Sequence, residues 1–278
     1  MNTLIAQPNM ETNVATDAAA KSVVETASEH EVAERLNSAS AASQTAFTAL
    51  GTLSVLMPIY NEKATLPGLL ARIQAVPISK EIILVDDGST DGTRELLQTE
   101  VENVMPGVRV FYHTSNQGKG AAIRTAIPYA QGEFCIIQDG DLEYDPLDYI
   151  PILKAFTEQN ADIVYGSRFL NGWPPMRPLN RIVNKLLAWM VRFFYAAPMT
   201  DEATCYKAFR TSVLQSIPLT CRRFEFCPEV TAKALRRGHR IVEVPIHYEA
   251  RSMSDGKKIR WTDGVAAIWT LLKFCFLR

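Results

Sequence analysis

Short apolar runs alternate with longer amphipathic stretches through the middle of the chain. Runs of mostly aliphatic residues predict strands at 54–58, 81–86, 108–112, 134–137 and 162–165. Helical spacing of the apolar positions predicts helices at 62–74, 91–99, 118–129 and 147–159. Strands that alternate with helices of roughly 10–15 residues indicate an α/β fold with a mainly parallel, doubly wound sheet. Ligands of such sheets bind beyond the carboxyl ends of the strands.

The alternation stops beyond Gly166, where helix-like segments surround one more predicted strand. The strand is predicted at 240–245, and the helices at 180–196, 226–237 and 261–276. The basic stretch 168–192 contains Trp173 and Trp189, which suits a helix lying in a membrane interface. A helix packed on the sheet, with its bases reaching out to solvent, would give the same pattern. The last helix is equally amphipathic, and core packing and membrane docking are both open for it.

Residues 1–50 differ in composition from the rest of the chain. They hold six acids and two bases, with no glycine and no aromatic residue before Phe47. They show no sustained apolar period that could be buried, which predicts a disordered acidic tail. We therefore expect the tail at 1–50, an α/β domain at 51–260 and a C-terminal amphipathic helix at 261–278.

The net charge of −1 hides a local basic bias, since residues 163–200 hold five bases and no acid. This balance suits a phosphorylated ligand or an anionic membrane, whereas a nucleic-acid partner would usually require a more basic chain. The five cysteines are odd in number and form no CxxC pair, which argues against disulfides or zinc and favours a reducing cytoplasm. No apolar tract reaches the roughly 20 residues that span a bilayer. We expect a cytoplasmic, peripherally membrane-associated protein.

Two carboxylates, Asp86 and Asp87, end the second predicted strand. The residues at 88–91 are explained by a tight turn and a helix cap. A turn does not explain two acids directly after four aliphatic residues. A carboxylate at a strand end commonly accepts hydrogen bonds from a ribose or a base, so we favour nucleotide binding here.

Lys119 stands between two glycines where the helix at 118–129 begins. The segment matches neither a P-loop nor the GxGxxG pattern. A lysine at a helix N-terminus can still hold a phosphate through backbone amides, the helix dipole and its own ammonium. An ordinary helix start explains the segment equally well, so the signal is weak by itself.

The apolar run at 134–137 leads directly into Gln138, Asp139, Gly140 and Asp141. Two carboxylates separated by one small residue can face the same divalent cation, and that cation can bridge a diphosphate. Mg²⁺ or Mn²⁺ suits this arrangement, because such hard ions bind through one or two carboxylates together with phosphates. The alternative is a solvated acidic turn before the next helix.

These motifs, taken in order along the chain, resemble the inverting family 2 glycosyltransferases of GT-A fold. The resemblance rests on Pro58-x-Tyr-Asn-Glu62, Asp86-Asp-Gly-Ser-Thr-Asp-Gly92, Asn116-x-Gly-Lys-Gly120 and Gln138-Asp-Gly-Asp141. Further elements resemble the polyprenyl-phosphate and dolichyl-phosphate mannosyl and glucosyl transferases: Tyr165-Gly-Ser-Arg168, Thr200-Asp201, Glu229, Tyr248-x-x-Arg251 and Gly256-Lys-Lys-Ile259. The resemblance covers residues 53–259 and implies a GT-A nucleotide-sugar-binding fold.

The resemblance also implies a role for each matching residue. It implies that the base and ribose pocket is lined by Pro58, Tyr60, Glu62, Val85 and Asp87. It implies that the diphosphate segment is Gln138, Asp139, Gly140 and Asp141, with the metal on Asp139 and Asp141. It implies that donor and acceptor phosphates contact Arg168, Arg251 and Lys258. We expect turnover to depend on Asp141, Arg168, Asp201, Arg251 and Lys258, and donor binding to involve Lys119.

Two departures from the family pattern bear on the identity of the sugar. Cys205-Tyr206-Lys207 stands where the family has Gly-Phe-Arg, so that an ammonium replaces a planar guanidinium. The loop after Arg251 is longer than in the mannosyl type, which leaves open whether Lys257 or Lys258 contacts phosphate.

The implied function is metal-dependent, inverting transfer of a hexose from a nucleotide-sugar, of GDP-mannose or UDP-glucose type, to a polyprenyl phosphate. A phosphate acceptor is already anionic and requires no general base. Two alternatives stay open: transfer to a sugar or protein hydroxyl, for which Asp201 should act as base, and a non-catalytic transferase-like protein. The implied partners are the donor, the lipid acceptor, and the cytoplasmic face of a membrane or a separate membrane protein.

Overall fold

The computed structural model of this protein describes residues 50–174, 176, 178–250 and 261–276. The predicted tail, apart from Leu50, lies outside the described residues, as do Arg251, Lys257 and Lys258. The division of the chain at residues 50 and 260 therefore stays a prediction. The strands and helices predicted between 54 and 174 all fall within the described part.

The described residues form a seven-stranded, mostly parallel sheet. Its strands are β1 (Leu53–Ile59), β2 (Lys80–Asp86), β3 (Val108–Tyr112), β4 (Phe134–Ile137), β5 (Ile163–Ser167), β6 (Lys207–Arg210) and β7 (Ile241–Pro245). They are ordered β3-β2-β1-β4-β6-β5-β7, and β6 alone runs antiparallel to its neighbours in this sheet. The predicted α/β fold with a mainly parallel sheet is confirmed.

Helices connect the strands and cover the sheet. They are α1 (Leu66–Ala75), α2 (Thr93–Leu96, continued by a π-helical turn at Leu97–Val101), α3 (Lys119–Ala126), α4 (Tyr149–Glu158), α5 (Pro178–Tyr195), α6 (Thr211–Ser216), α7 (Phe226–Arg236) and α8 (Trp261–Phe276). Short 3₁₀ turns follow α3 and precede α4. The sequence pattern does not predict β6 and α6, because segments of four and six residues are too short to show a period.

The core lies on both faces of the central strands, which explains why their sequences are continuously apolar rather than alternating. Val55, Leu56 and Met57 of β1 are all fully buried. The parallel register pairs Ile59 with Asp86, so that β1 and β2 end at the same edge of the sheet. β4 is also parallel to β1, and its carboxyl end therefore brings the acids at 139–141 to that edge.

The helices α5 and α8 pack against each other and leave an apolar face exposed. The Tyr195 hydroxyl donates to the Leu271 carbonyl at 2.6 Å, and the Phe194 and Phe276 rings meet edge to face. The exposed apolar side chains of these helices include Leu179, Ile182, Trp189, Phe193, Val265 and Trp269. Among the described residues, no helix is both long enough and apolar enough to cross a membrane.

Candidate functional site

Asp87 is buried at the turn after β2 and holds the start of α3 in place. Its carboxylate accepts hydrogen bonds from the backbone amides of Gln117 at 2.8 Å and Gly118 at 2.7 Å. The Nδ1 atom of His113 lies 2.7 Å from the same carboxylate, and its Nε2 atom lies 3.0 Å from the Thr125 hydroxyl. A carboxylate has about four acceptor positions, and the chain itself occupies three of them. Asp87 therefore orders the start of α3, and its expected contact with the nucleotide stays a prediction.

Arg94 and His113 support this corner, and sequence reasoning assigned neither of them a function. Arg94 donates from Nε to the fully buried Asp86 carboxylate at 2.7 Å and from Nη2 to the His113 carbonyl. The Ser89 amide donates to the other Asp86 oxygen at 3.1 Å. A lone arginine on a short helix and a lone histidine carry no sequence signal, because their partners are set by the fold.

Lys119 projects from the start of α3 to the end of β4. Its Nζ atom lies 2.6 Å from Asp139 Oδ1 and 3.6 Å from Cys205 Sγ. Burial by itself would lower the pKa of Lys119, but the adjacent Asp139 carboxylate raises that pKa well above its usual value. The lysine is therefore a permanent positive charge beside the predicted metal carboxylates.

The backbone amides at the start of α3 bind the chain itself, which corrects one expectation from the sequence. The amide of Gly120 donates to the Arg223 carbonyl and that of Ala121 to the Arg222 carbonyl, at 3.1 and 3.0 Å. These two amides cannot hold a phosphate in this arrangement, whereas the ammonium of Lys119 can still bind an anion.

The two glycines beside Lys119 are explained by the close approach of the segment 220–223. A Cβ atom at Gly118 would lie 2.3 Å from the Arg222 carbonyl oxygen, and one at Gly120 would lie 2.9 Å from the Arg223 carbonyl oxygen. Glu229 holds this segment by accepting hydrogen bonds from the amides of residues 220 and 221. Glu229, which matches the family pattern, therefore holds the segment that packs against the start of α3.

Asp139 and Asp141 lie half-buried beyond the end of β4. Between them, a Cβ atom at Gly140 would come within 2.9 Å of Ile59 Cδ1 and 3.0 Å of Glu62 Cγ, so that only glycine fits without displacement. Asp141 Oδ1 accepts the Glu143 amide at 3.2 Å.

The donor atoms at this strand end fit a divalent cation that is bound together with phosphates. Two carboxylates supply hard oxygen ligands, and Mg²⁺ or Mn²⁺ commonly binds through one or two carboxylates while phosphates and waters complete its shell. Among the residues that the structure describes, no group of three or more acidic, histidine or cysteine side chains could hold a metal alone. The residues therefore fit a cation that the substrate helps to bind.

Gln138 lies beneath the site rather than on its surface. It is fully buried, and its Oε1 atom accepts hydrogen bonds from the hydroxyls of Tyr149 at 2.5 Å and Tyr206 at 2.7 Å. Its Nε2 atom donates to the Asp139 carbonyl at 3.0 Å. Gln138 therefore orients the backbone of residues 139–141, the predicted metal segment, and the expected direct contact with the diphosphate stays a prediction.

The residues matched to the base and ribose pocket lie at the ends of β1 and β2. Pro58, Tyr60 and Glu62 are half-buried, whereas Val85 is fully buried. The Thr65 hydroxyl lies 2.7 Å from Glu62 Oε2 and 2.9 Å from the Gly140 carbonyl oxygen. The first motif is thereby connected to the metal segment.

Arg168 and Asp201, which lie 33 residues apart, form a bidentate ion pair at the end of β5. The guanidinium donates from Nε to Oδ2 and from Nη2 to Oδ1, both at 2.7 Å, and the Arg168 amide also donates to Oδ2 at 3.0 Å. Asp201 is fully buried, and its own amide donates to Glu243 at 2.8 Å. Each oxygen of the proposed base therefore already accepts at least one hydrogen bond from Arg168.

The segment that leads to Arg251 is held beside this ion pair. The Arg168 guanidinium lies over the Tyr248 ring, 5.1 Å from its centroid. The Tyr248 hydroxyl donates to Glu143 at 2.9 Å, and Tyr144 forms an isolated β-bridge with Tyr248. The chain between β7 and residue 250 is thus connected to both the metal segment and Arg168.

Lys207, the ammonium that replaces the family's arginine, lies in the core of the protein. It is fully buried, donates to the Glu202 carbonyl at 2.6 Å and lies 3.6 Å from the centroid of the Tyr165 ring. Burial, partly offset by Lys207, raises the pKa of Glu202 to about 7. The substitution is therefore accommodated inside the core.

Comparison with known proteins identifies a family and similar enzymes. Residues 54–217 match the family described as Glycosyl transferase family 2. Undecaprenyl-phosphate mannosyltransferase of Micrococcus luteus is 29% identical over 245 residues, which cover 78% of this chain and 96% of that protein. Dolichyl-phosphate hexose transferase of Haloferax volcanii is 29% identical over 223 residues, which cover 80% of this chain and 93% of that protein.

A solved structure has the same fold. Glucosyl-3-phosphoglycerate synthase from Mycobacterium tuberculosis, in complex with Mn²⁺, uridine diphosphate and phosphoglyceric acid, aligns with a TM-score of 0.64 at 18% identity. The alignment covers 84% of this chain and 82% of that chain. At this identity the likeness bears on the fold alone, and it confirms the predicted GT-A architecture.

Proposed function

The chain belongs to glycosyl transferase family 2, and from this premise we propose that it transfers a hexose from a nucleotide-sugar to a polyprenyl phosphate. The anomeric configuration inverts, and a nucleoside diphosphate leaves. The observation that carries the choice of acceptor is the ion pair between Arg168 and Asp201.

That ion pair bears on the acceptor because the two candidate acceptors have different needs. A hydroxyl acceptor has to lose its proton to a base, and Asp201 is the acid expected for that role. Asp201 is fully buried, and both its oxygens accept from Arg168. A phosphate monoester is already anionic at neutral pH, so its oxygen can attack the anomeric carbon without a base. The arrangement therefore favours the phosphate.

The donor side of the proposed site is formed by the ends of β1, β2 and β4. Asp139 and Asp141 would hold Mg²⁺ or Mn²⁺, which when bound supplies Lewis-acid stabilisation of the leaving diphosphate. The ammonium of Lys119, 2.6 Å from Asp139, adds a positive charge at the same place. Charges that are already in position when the leaving group becomes more negative are the electrostatic part of catalysis.

The acceptor side is formed by Arg168 together with Arg251 and Lys258. Two N–H groups of Arg168 are engaged by Asp201, which fixes the plane of the guanidinium. We propose that its Nη1 group donates to the acceptor phosphate. Tyr248 stacks on this guanidinium and begins the segment that contains Arg251. The proposed contacts of Arg251 and Lys258 with phosphate rest on the family resemblance.

A lipid acceptor requires the site to reach a membrane surface, and the exposed face of α5 and α8 suits that task. Trp189 is 53% exposed, Phe193 67% and Trp269 66%. Arg181 and Lys185 lie on the same helix as the first two and stack on Trp173. Apolar side chains beside bases are typical of helices that lie in an anionic interface. We propose peripheral association with the cytoplasmic face of a membrane.

The test is a direct assay of the purified full-length chain. It is incubated with labelled GDP-mannose or UDP-glucose, a divalent cation, and either a short-chain polyprenyl phosphate or the polyprenol of the same chain length. We expect a labelled lipid phosphate of inverted configuration together with a nucleoside diphosphate. Release of pyrophosphate would indicate a nucleotidyltransferase, and equal labelling of the polyprenol would contradict the phosphate assignment.

A further inference from the structure

The contact between Lys119 and Asp139 joins two groups that are each expected to bind part of the donor. Lys119 Nζ lies 2.6 Å from Asp139 Oδ1, and the side chains are 16% and 25% exposed. An ammonium in direct contact with a carboxylate neutralises most of the charge that attracts a cation. Without a ligand, the metal segment therefore has only part of the negative charge that Asp139 and Asp141 would supply together.

A divalent cation bound to Asp139 would lie within a few ångströms of this ammonium. Like charges that are this close repel each other in a partly buried setting, so Lys119 weakens the binding of a metal ion that arrives without a nucleotide. A nucleoside diphosphate changes this balance. Its negative charges attract both the metal and the ammonium, and its oxygens offer Lys119 a new partner.

The fold allows the ammonium to change partners without rearranging the backbone. The amides before Lys119 are fixed by Asp87, and those after it are fixed by the carbonyls of Arg222 and Arg223. The flexible four-carbon stem of a lysine can still move its charge between nearby oxygens. Movement at this point is therefore restricted to one side chain.

We propose that Lys119 occupies Asp139 until a nucleoside diphosphate arrives and then moves to the diphosphate, so that metal and nucleotide bind together rather than the metal first. This inference rests on the proposed donor site at Asp139 and Asp141. It makes Lys119 a residue that couples the two ligands, in addition to a contact for phosphate.

The test measures Mn²⁺ binding directly, by the loss of the electron paramagnetic resonance signal of free Mn²⁺. Titrations are run with Mn²⁺ alone and with saturating GDP or UDP, on the wild type, Lys119→Met and Lys119→Arg. Lys154→Met, on the exposed side of α4, is the control for loss of one positive charge elsewhere. Methionine matches the length of the lysine stem, and circular dichroism checks that each variant is folded.

We expect Lys119→Met to bind Mn²⁺ alone at least tenfold more tightly than the wild type, and to show a smaller gain in Mn²⁺ affinity when nucleotide is added. Lys119→Arg, which keeps the charge, and Lys154→Met should both behave as the wild type does. The inference is overturned if Lys119→Met and Lys154→Met bind Mn²⁺ alone with equal affinity, because the charge of Lys119 would then have no effect on metal binding.

These measurements contain no acceptor, so they separate the inference from the proposed function. If the Mn²⁺ results are as expected but polyprenyl phosphate is not glycosylated, the proposed acceptor is wrong and the role of Lys119 stands. If polyprenyl phosphate is glycosylated and Mn²⁺ alone binds the wild type and Lys119→Met equally, the proposed function stands and the coupling role is wrong.

Discussion

Arg168 and Asp201 hold each other through two hydrogen bonds of 2.7 Å, and Asp201 is fully buried. A charge buried in this way is far more costly to leave unpaired than to remove with its partner. The pair therefore behaves as a unit that positions the guanidinium, and this property distinguishes it from an acid that accepts a proton from substrate.

Changing Asp201 to Ala should destabilise the protein more than changing both partners. The single variant leaves the Arg168 charge buried without a partner, which we expect to cost about 3–5 kcal/mol of unfolding free energy. The double variant Arg168→Ala with Asp201→Ala should recover part of that loss, as measured by urea denaturation of all three variants and the wild type. Additive losses would show that the two residues do not act as a pair.

Changing Asp141 to Asn should reduce transfer by at least about a hundredfold, because the developing charge of the leaving diphosphate would lose its metal. Donor binding should lose its dependence on Mg²⁺ or Mn²⁺, measured by calorimetry with and without the cation. Asp162→Asn is the control, because it makes the same charge change at the start of β5, at the opposite edge of the sheet. Full activity of Asp141→Asn in EDTA would contradict the metal assignment.

Glu202 should make stability fall as the pH rises. Burial raises the pKa of Glu202 from 4.5 to about 7 in the folded protein. The folded state therefore binds the proton more tightly than the unfolded chain does. Its contribution is fully present below pH 4.5 and is lost as the pH rises through about 7, at about 1.4 kcal/mol for each unit of pKa difference.

The measurement is the urea unfolding free energy of the wild type and Glu202→Gln at pH 5 and pH 7.5. We expect the stability of Glu202→Gln relative to the wild type to increase between these values. Glu158→Gln, at the exposed end of α4, is the control. The opposite result is a stability deficit of Glu202→Gln, relative to the wild type, that is larger at pH 7.5 than at pH 5. It would show that the charged pair between Glu202 and Lys207 stabilises the fold.

The apolar face of α5 should bind anionic vesicles. Removing Trp189 and Phe193 together, as Trp189→Ser with Phe193→Ser, deletes two stacked rings that are each more than half exposed. Because burying a large apolar side chain contributes about 1.5–3 kcal/mol, cosedimentation with phosphatidylglycerol vesicles should weaken at least tenfold. Val104→Ser, an equally exposed apolar residue before β3, should have no effect. Unchanged sedimentation of the double variant would show that this face does not contact lipid.

The location of the site could be predicted from the sequence, because parallel strands bring their carboxyl ends to one edge. Asp87 and Asp139 were expected there for that reason. The partners of these acids could not be predicted, since Lys119 reaches Asp139 only after α3 has been positioned by Asp87. The two tyrosines that hold Gln138 lie 11 and 68 residues further along the chain, and no local pattern connects them.

Arg251 tests the acceptor assignment most directly, although it lies outside the described residues. The segment before it is held against Arg168 by Tyr248, and the family resemblance implies that both guanidinium groups bind one phosphate. A guanidinium can donate two charge-assisted hydrogen bonds to a phosphate. Changing Arg251 to Ala should therefore cost about 1.5–3 kcal/mol for each bond lost, a ten- to hundredfold fall in turnover.

Changing Arg251 to Lys should recover only part of that loss, because the charge remains but the planar fork does not. Arg240→Ala is the matched control and should leave turnover unchanged, because Arg240 precedes β7 in the sequence whereas Arg251 follows it. The assay compares polyprenyl phosphate with polyprenol of the same chain length. If the phosphate is the acceptor, no variant should label polyprenol. If the wild type glycosylates both lipids equally, the acceptor assignment is wrong and Arg251 serves only the donor.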